Sequence, residues 1–138
     1  MTESATRSAS GDFDLSRWPL ARYRMPEHVP DAETEARIAE FDALLAGGER
    51  FVLVFHGPEM PKNSVRFMKA YRAWFVANKE AQKRLCAGAV RVEPDAKRRQ
   101  SFSGKALALM NRVFLPYPYR VVGSDAEAEA QAKTWLAA

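Results

Sequence analysis

A chain of 138 residues is the size of one domain, and a domain of that size builds a core without disulfide staples. Its composition, 47% hydrophobic and 28% charged, is that of an ordinary globular protein, and its one cysteine, Cys86, excludes an internal disulfide. The net charge of +4 conceals an asymmetry: residues 62–120 carry 14 Lys/Arg against 3 Asp/Glu, and the rest carries 7 against 14. A basic middle between acidic ends calls for an acidic partner. No apolar run approaches the roughly 20 residues that cross a bilayer. The first residues, Met1–Gly11, are small and polar without the apolar centre of a secretory signal, so the expected location is cytoplasmic.

Residues 1–16 read as a mobile polar tail and residues 17–138 as a single domain. The first predicted strand runs from Pro19 to Met25. Ala21, Tyr23 and Met25 fall on one face and Leu20, Arg22 and Arg24 on the other, the alternation of an edge strand with one wet face. Asp31 is placed to cap a helix over 32–46, with Ile38, Phe41, Leu44 and Leu45 as its buried stripe and Gly47-Gly48 as its stop. Phe51–Phe55 do not alternate, which predicts a central strand buried on both faces and ending at His56.

A long helix over 63–85 follows, capped by Asn63 or Ser64. Its expected buried side is Val65, Met68, the Arg72 stem, Phe75 and Val76, with Tyr71 and Trp74 beside them and Gly88 marking its end. Ala89–Glu93 reads as a third strand. Asp95–Arg99 reads as a turn before a helix over 100–114, whose stripe is Phe102, Ala106, Leu109, Met110 and Val113. Pro116-Tyr117-Pro118 breaks that helix and a fourth strand spans Tyr119–Val122. Ser124 with Glu127 has the spacing of a capping box for a last helix, with Ala128, Ala132, Trp135 and Leu136 on its apolar side. Strict β-α alternation predicts an α/β fold: a mostly parallel sheet of four to five strands with helices on its faces.

The strand Phe51–Phe55, the helix bearing Arg72-Ala73-Trp74, the segment Leu85-Cys86-Ala87-Gly88-Ala89-Val90 and the closing Pro116-Tyr117-Pro118-Tyr119-Arg120-Val121 together resemble the STAS-like domains, relatives of the anti-sigma-factor antagonists. The resemblance covers about 120 residues as a pattern rather than a motif. It implies a small α/β domain that is non-enzymatic and regulatory, acting through protein contacts, sometimes with phosphorylation or small-ligand binding. In such antagonists a phosphorylated Ser sits in an Asp-Ser-Ser-Gly-like run at the start of the helix after a central strand. Here that place reads Pro61-Lys62-Asn63-Ser64-Val65, which keeps Ser64 as the candidate phosphosite but lacks the acidic residue and the glycine. Helix capping is the plain reading of the same residue.

Ligands of open parallel sheets sit outside the carboxyl ends of the strands. The loops gathered there carry His56, Glu59, Asn63 and Ser64, then Asp95 to Ser101, then Ser124 and Asp125. His56 with Glu59 or Asp95 has the makings of an acid–base pair, yet no nucleophile elbow, Walker loop or dinucleotide motif accompanies it, so no catalytic residue and no cofactor are assigned. His28 and His56 lack metal-ligand spacing. Lys97-Arg98-Arg99 at a helix start opposes the helix dipole, which an anion would relieve. With Lys62 and Arg66 they form the expected basic surface for an acidic protein partner. Nucleic acid is the lesser alternative, since base stacking needs exposed aromatics and Phe102 has core spacing. A small-ligand or minor enzymatic site at the His56 and Asp95 edge is the other alternative.

Overall fold

The computed structural model describes residues 12–102 and 115–138. The fold is α/β, a five-stranded mixed sheet in sequential order. Strand β1 (Phe13–Asp14) runs antiparallel to β2 (Leu20–Arg24). Then β2, β3 (Phe51–His56), β4 (Cys86–Val92) and β5 (Tyr119–Val122) are parallel neighbours. The helices are α1 (Thr34–Ala46), preceded by a 3-10 turn at Asp31–Glu33, then α2 (Val65–Ala77), α3 (Lys79–Leu85), α4 (Ala96–Phe102) and α5 (Asp125–Ala137).

Right-handed crossovers between neighbouring parallel strands put their helices on one face. Accordingly Phe41 and Leu44 of α1, Phe67 of α2 and Leu85 of α3 share one core with Ala21, Tyr23, Phe51, Leu53, Cys86 and Ala89. The last helix, α5, is not a crossover and folds over the opposite face. There its Ala128 and Ala132 meet Val52, Val54, Val90, Val92 and Val122. Small side chains on α5 let it lie close to a sheet face paved with valine. Val52 and Leu53 point to opposite faces and both are buried, as a central strand requires.

Several expectations change at the residue level. Phe13 is buried, so residues 12–16 are not tail but a short strand and turn, with Phe13 paired to Tyr23 and Asp14 to Arg22. That strand covers part of β2, which is therefore not an edge. Arg37 of α1 anchors the same entry, reaching Asp12 at 3.6 Å, Glu33 at 2.8 Å and Glu40 at 3.2 Å. Burial pushes the Asp12 and Glu40 carboxyls above their ordinary range. Asp31 makes no side-chain cap, because a 3-10 turn precedes α1.

The expected single helix over 63–85 breaks at Asn78, whose side-chain amide donates to the Trp74 carbonyl at 2.9 Å, while Gln82 of α3 donates to Phe75 O at 3.0 Å. Its buried side is also turned from expectation. Phe67 is fully buried and Tyr71, Trp74 and Phe75 pack beside it, whereas Val65 and Val76 are 69% and 66% exposed. A helix with apolar residues on several sides leaves its phase to the partner surface, and here the aromatic cluster decides it. Gly88 is not a helix stop but lies within β4, which starts directly at Cys86. Helix α4 already begins at Ala96, inside the expected turn, and the predicted stripe residues Ala106, Leu109, Met110 and Val113 lie outside the described residues, as does 1–11 of the tail. The α5 capping box forms as expected: Glu127 N–H donates to Ser124 Oγ at 3.2 Å and Gly123 N–H to Glu127 Oε1 at 3.3 Å. No helix among the described residues is long and apolar enough to cross a membrane.

Candidate functional site

Four parallel strands end at one edge of the sheet, which gathers Arg24, His56, the Glu93 loop and the start of α5 there. Alternation along β2 sends Arg22 and Arg24 toward the α5 face, and the same alternation along β3 sends His56 there. At the turn after β3, Gly57 has φ +84°, and a Cβ on it would lie 2.8 Å from the Met25 carbonyl. Glycine lets the chain leave β3 so closely that Met25 N–H still donates to His56 O at 2.9 Å. From β4, the buried Arg91 donates to Gly57 O at 2.8 Å and Pro58 O at 3.2 Å, pinning the loop that carries Lys62.

Two hollows meet along Arg24, His56 and Asp125. One, of about 420 Å³, continues to Asp14, Arg17, Arg22 and Glu129. The other, of about 600 Å³, continues to Glu27, Lys62, Glu93 and Arg98. Together they form a trough across the strand ends. Within it Arg22 donates to Asp125 Oδ1 at 2.7 Å and approaches Glu129 at 3.5 Å, and Arg17 pairs with Glu129 at 3.0 Å. His56 Nε2 lies 3.3 Å from Arg22 Nη1 and 3.5 Å from Asp125 Oδ1. Arg98 stands 3.5 Å from Glu93. Arg24 and Lys62 make no side-chain ion pair with any described residue.

Of the residues singled out in the sequence, the fold brings His56, Lys62 and Arg98 to one hollow. It sends others elsewhere. Arg66 donates to Asp31 O at 2.7 Å and pairs with Glu35. Arg99 donates to Glu93 O and Pro94 O, both at 2.8 Å, and lies against Gly123. Lys97 is exposed on α4. Asp95 caps α4, accepting from Lys97 N at 2.9 Å and Arg98 N at 3.3 Å, so the carboxylate beside His56 is Asp125 instead.

Ser64 holds the N-cap position of α2, but its side chain makes no cap bond: it is buried, accepts from Val29 N at 2.8 Å and donates to Lys62 O at 2.8 Å. A kinase reaches such a hydroxyl only after this turn opens. Cys86 is buried, and burial pushes its thiol up to about 12, leaving it protonated and inert at neutral pH. Among the described residues neither hollow is lined by a hydroxyl or a thiol. Among the described residues no group of three or more His, Cys, Asp and Glu is placed to hold a metal ion.

Arg24 and Asp125 are the site residues that sequence reasoning passed over as partners of His56. Their signals were the outward phase of Arg24 on β2 and the position of Asp125 at the start of α5.

Burial lowers the His56 pKa; Asp125 opposes this, and Arg22, Arg24 and Arg91 add to it. The folded ring thus binds fewer protons than the same ring in the unfolded chain. Its contribution to stability is full above the ordinary value of 6.5 and is lost as pH falls through the lower folded value. Urea unfolding of the wild type should show stability dropping between about pH 8 and about pH 5.5, with His56→Gln flatter over that window. Equal slopes in the two proteins would contradict the assignment. The raised Asp12 and Glu40 act in the opposite sense, and at lower pH, starting from their ordinary values of 3.8 and 4.5.

The fold and trough define a single-domain α/β protein with a charged site at the carboxyl edge of a mostly parallel sheet. No protein-family profile, curated protein or solved structure matches this chain.

Proposed function

We propose that this chain is a non-enzymatic interaction module, STAS-like in kind and regulatory in role, that receives an acidic segment of a protein partner in the strand-end trough. One observation carries the reading: Arg24 and Lys62 face the same hollow beside His56 without a carboxylate partner among the described residues. Both cations are exposed at the rim of the hollow, and a partner's carboxylates supply the charge-assisted hydrogen bonds they lack there. Arg98 extends the seat, and Lys97 stands exposed on the adjoining helix. The β-α alternation is compatible with the STAS-like resemblance.

Glu27, Glu93 and Asp125 line the same hollow, so attraction there comes from placed cations rather than a broad positive field. That disfavours a nucleic-acid backbone, which needs many phosphate contacts, and among the described residues the hollow has no aromatic lining for bases. A volume of about 600 Å³ also suits a small acidic ligand on the same seat, the second reading.

Fluorescence anisotropy with a labelled oligoaspartate peptide tests this. Arg24→Glu and Lys62→Glu should each weaken binding about tenfold, ~1.4 kcal/mol. Lys79→Glu, the same charge reversal at the exposed start of α3, should leave the affinity near that of the wild type. If Lys79→Glu weakens binding as much as Lys62→Glu, the attraction is overall charge and the seat does not exist.

A further inference from the structure

His56 joins the anion seat to an acid–base network. Arginine is a permanent donor, so the 3.3 Å approach of Arg22 Nη1 makes His56 Nε2 a lone-pair acceptor and places the ring proton on Nδ1. In this arrangement the ring is neutral. A second proton, on Nε2, turns that acceptor into a donor. Nε2–H then faces Asp125 Oδ1, already 3.5 Å away, while Arg22 keeps its second carboxylate, Glu129. The same side chains thus have two arrangements that differ by one proton.

The charges around the ring decide between them. Arg22 and Arg24 approach from β2, Arg91 acts from β4, and Asp125 and Glu129 lie on α5. Lys62, on the loop after β3, lines the hollow with Glu27, Glu93 and Arg98. Burial and the three arginines favour the neutral ring against the pull of Asp125. An anion on Arg24 and Lys62 cancels positive potential at the ring and favours its charged form.

We propose that the trough is a proton-linked anion receptor: seating a partner's carboxylate on Arg24 and Lys62 is coupled to protonation of His56, and the partner binds more tightly as pH falls. This rests on the reading of the trough as an anion seat. By linkage, the rise in the His56 pKa on binding equals the gain in affinity on protonation, about tenfold per unit.

The test is an NMR pH titration of the imidazole resonances of the whole protein with and without saturating oligoaspartate, whose carboxylates stay ionised above about pH 5.5. The chain has two histidines, and His56→Gln assigns the signals. The expected result is a His56 midpoint that rises by at least about half a unit with peptide, roughly a threefold effect on affinity. Peptide affinity of the wild type should rise from about pH 8 to about pH 6, nearing that factor only as pH falls below the midpoint of the unliganded ring, and that of His56→Gln should not. If the peptide perturbs Arg24 and Lys62 but leaves the His56 midpoint in place, the linkage is wrong and the anion seat stands. An equal pH dependence of affinity in His56→Gln overturns the linkage as well. If the peptide binds nowhere in the trough, both fall.

Discussion

Phe41→Ala should destabilise the protein by about 3–5 kcal/mol, the cost of emptying a large aromatic site in a packed core. Phe41 is only 2% exposed and touches four rings: Tyr71 at 4.9 Å, Tyr23 at 5.0 Å, Phe13 at 5.1 Å and Trp74 at 5.6 Å between centroids. Those rings belong to α2, β2 and β1, so this one side chain of α1 joins three elements on one face of the sheet. Aromatic pairs add to plain burial, which places the cost toward the upper end. The melting temperature, followed by circular dichroism, should fall on the order of 10–20 °C for a domain of this size. A cost below about 1 kcal/mol would mean that the cluster does not hold α1 and β1 to the sheet.

The second large effect lies on the opposite face. A Cβ at Gly88 would sit 2.3 Å from Cε3 of Trp135, a separation that no real contact tolerates. The indole of α5 lies flat against the bare backbone of β4, and a side chain there must push the helix away. Gly88→Val gains intrinsic strand propensity, a term within about 1 kcal/mol, but overpacking costs about 1–3 kcal/mol or more and wins. Net destabilisation of at least about 2 kcal/mol is expected by urea titration. Trp135→Leu in the Gly88→Val background should return part of that loss, whereas the same change alone should destabilise. Additive losses in the double variant would show that the two side chains do not compete for one space.

The backbone architecture was legible because it rests on periodicity and punctuation. The unbroken apolar run Phe51–Phe55 marks a strand covered on both faces, and Ser124 with Glu127 marks a helix start; both are set by neighbours in sequence. The phase of α2 was not legible. Val65, Met68, Phe75 and Val76 form as plausible a stripe as Phe67, Tyr71 and Phe75, and only the aromatic surface of α1 and β2 selects between them. Strand β1 escaped notice because two residues carry no period.

At the site, His56 and Arg98 were placed at one edge by topology alone, while Lys62 was read as part of a basic surface, and the loop after β3 brings it to the same hollow. Arg98 and Arg99 are the same residue type at adjacent positions, yet one lines the hollow and the other caps carbonyls of its own loop. Nothing local distinguishes them; the carbonyls of Glu93 and Pro94 do. Asp125 reaches His56 across a long sequence separation, and only the return of α5 over the sheet face brings them together.

The most direct test of the account is a nitrogen-15 correlation spectrum of the protein titrated with oligoaspartate. The account predicts perturbations at Arg24, His56, Gly57, Lys62 and Asp125, weakened by salt and lost in the Arg24→Glu, Lys62→Glu double variant. Perturbations confined to the exposed faces of α2 and α3, or persisting in that double variant, would contradict it.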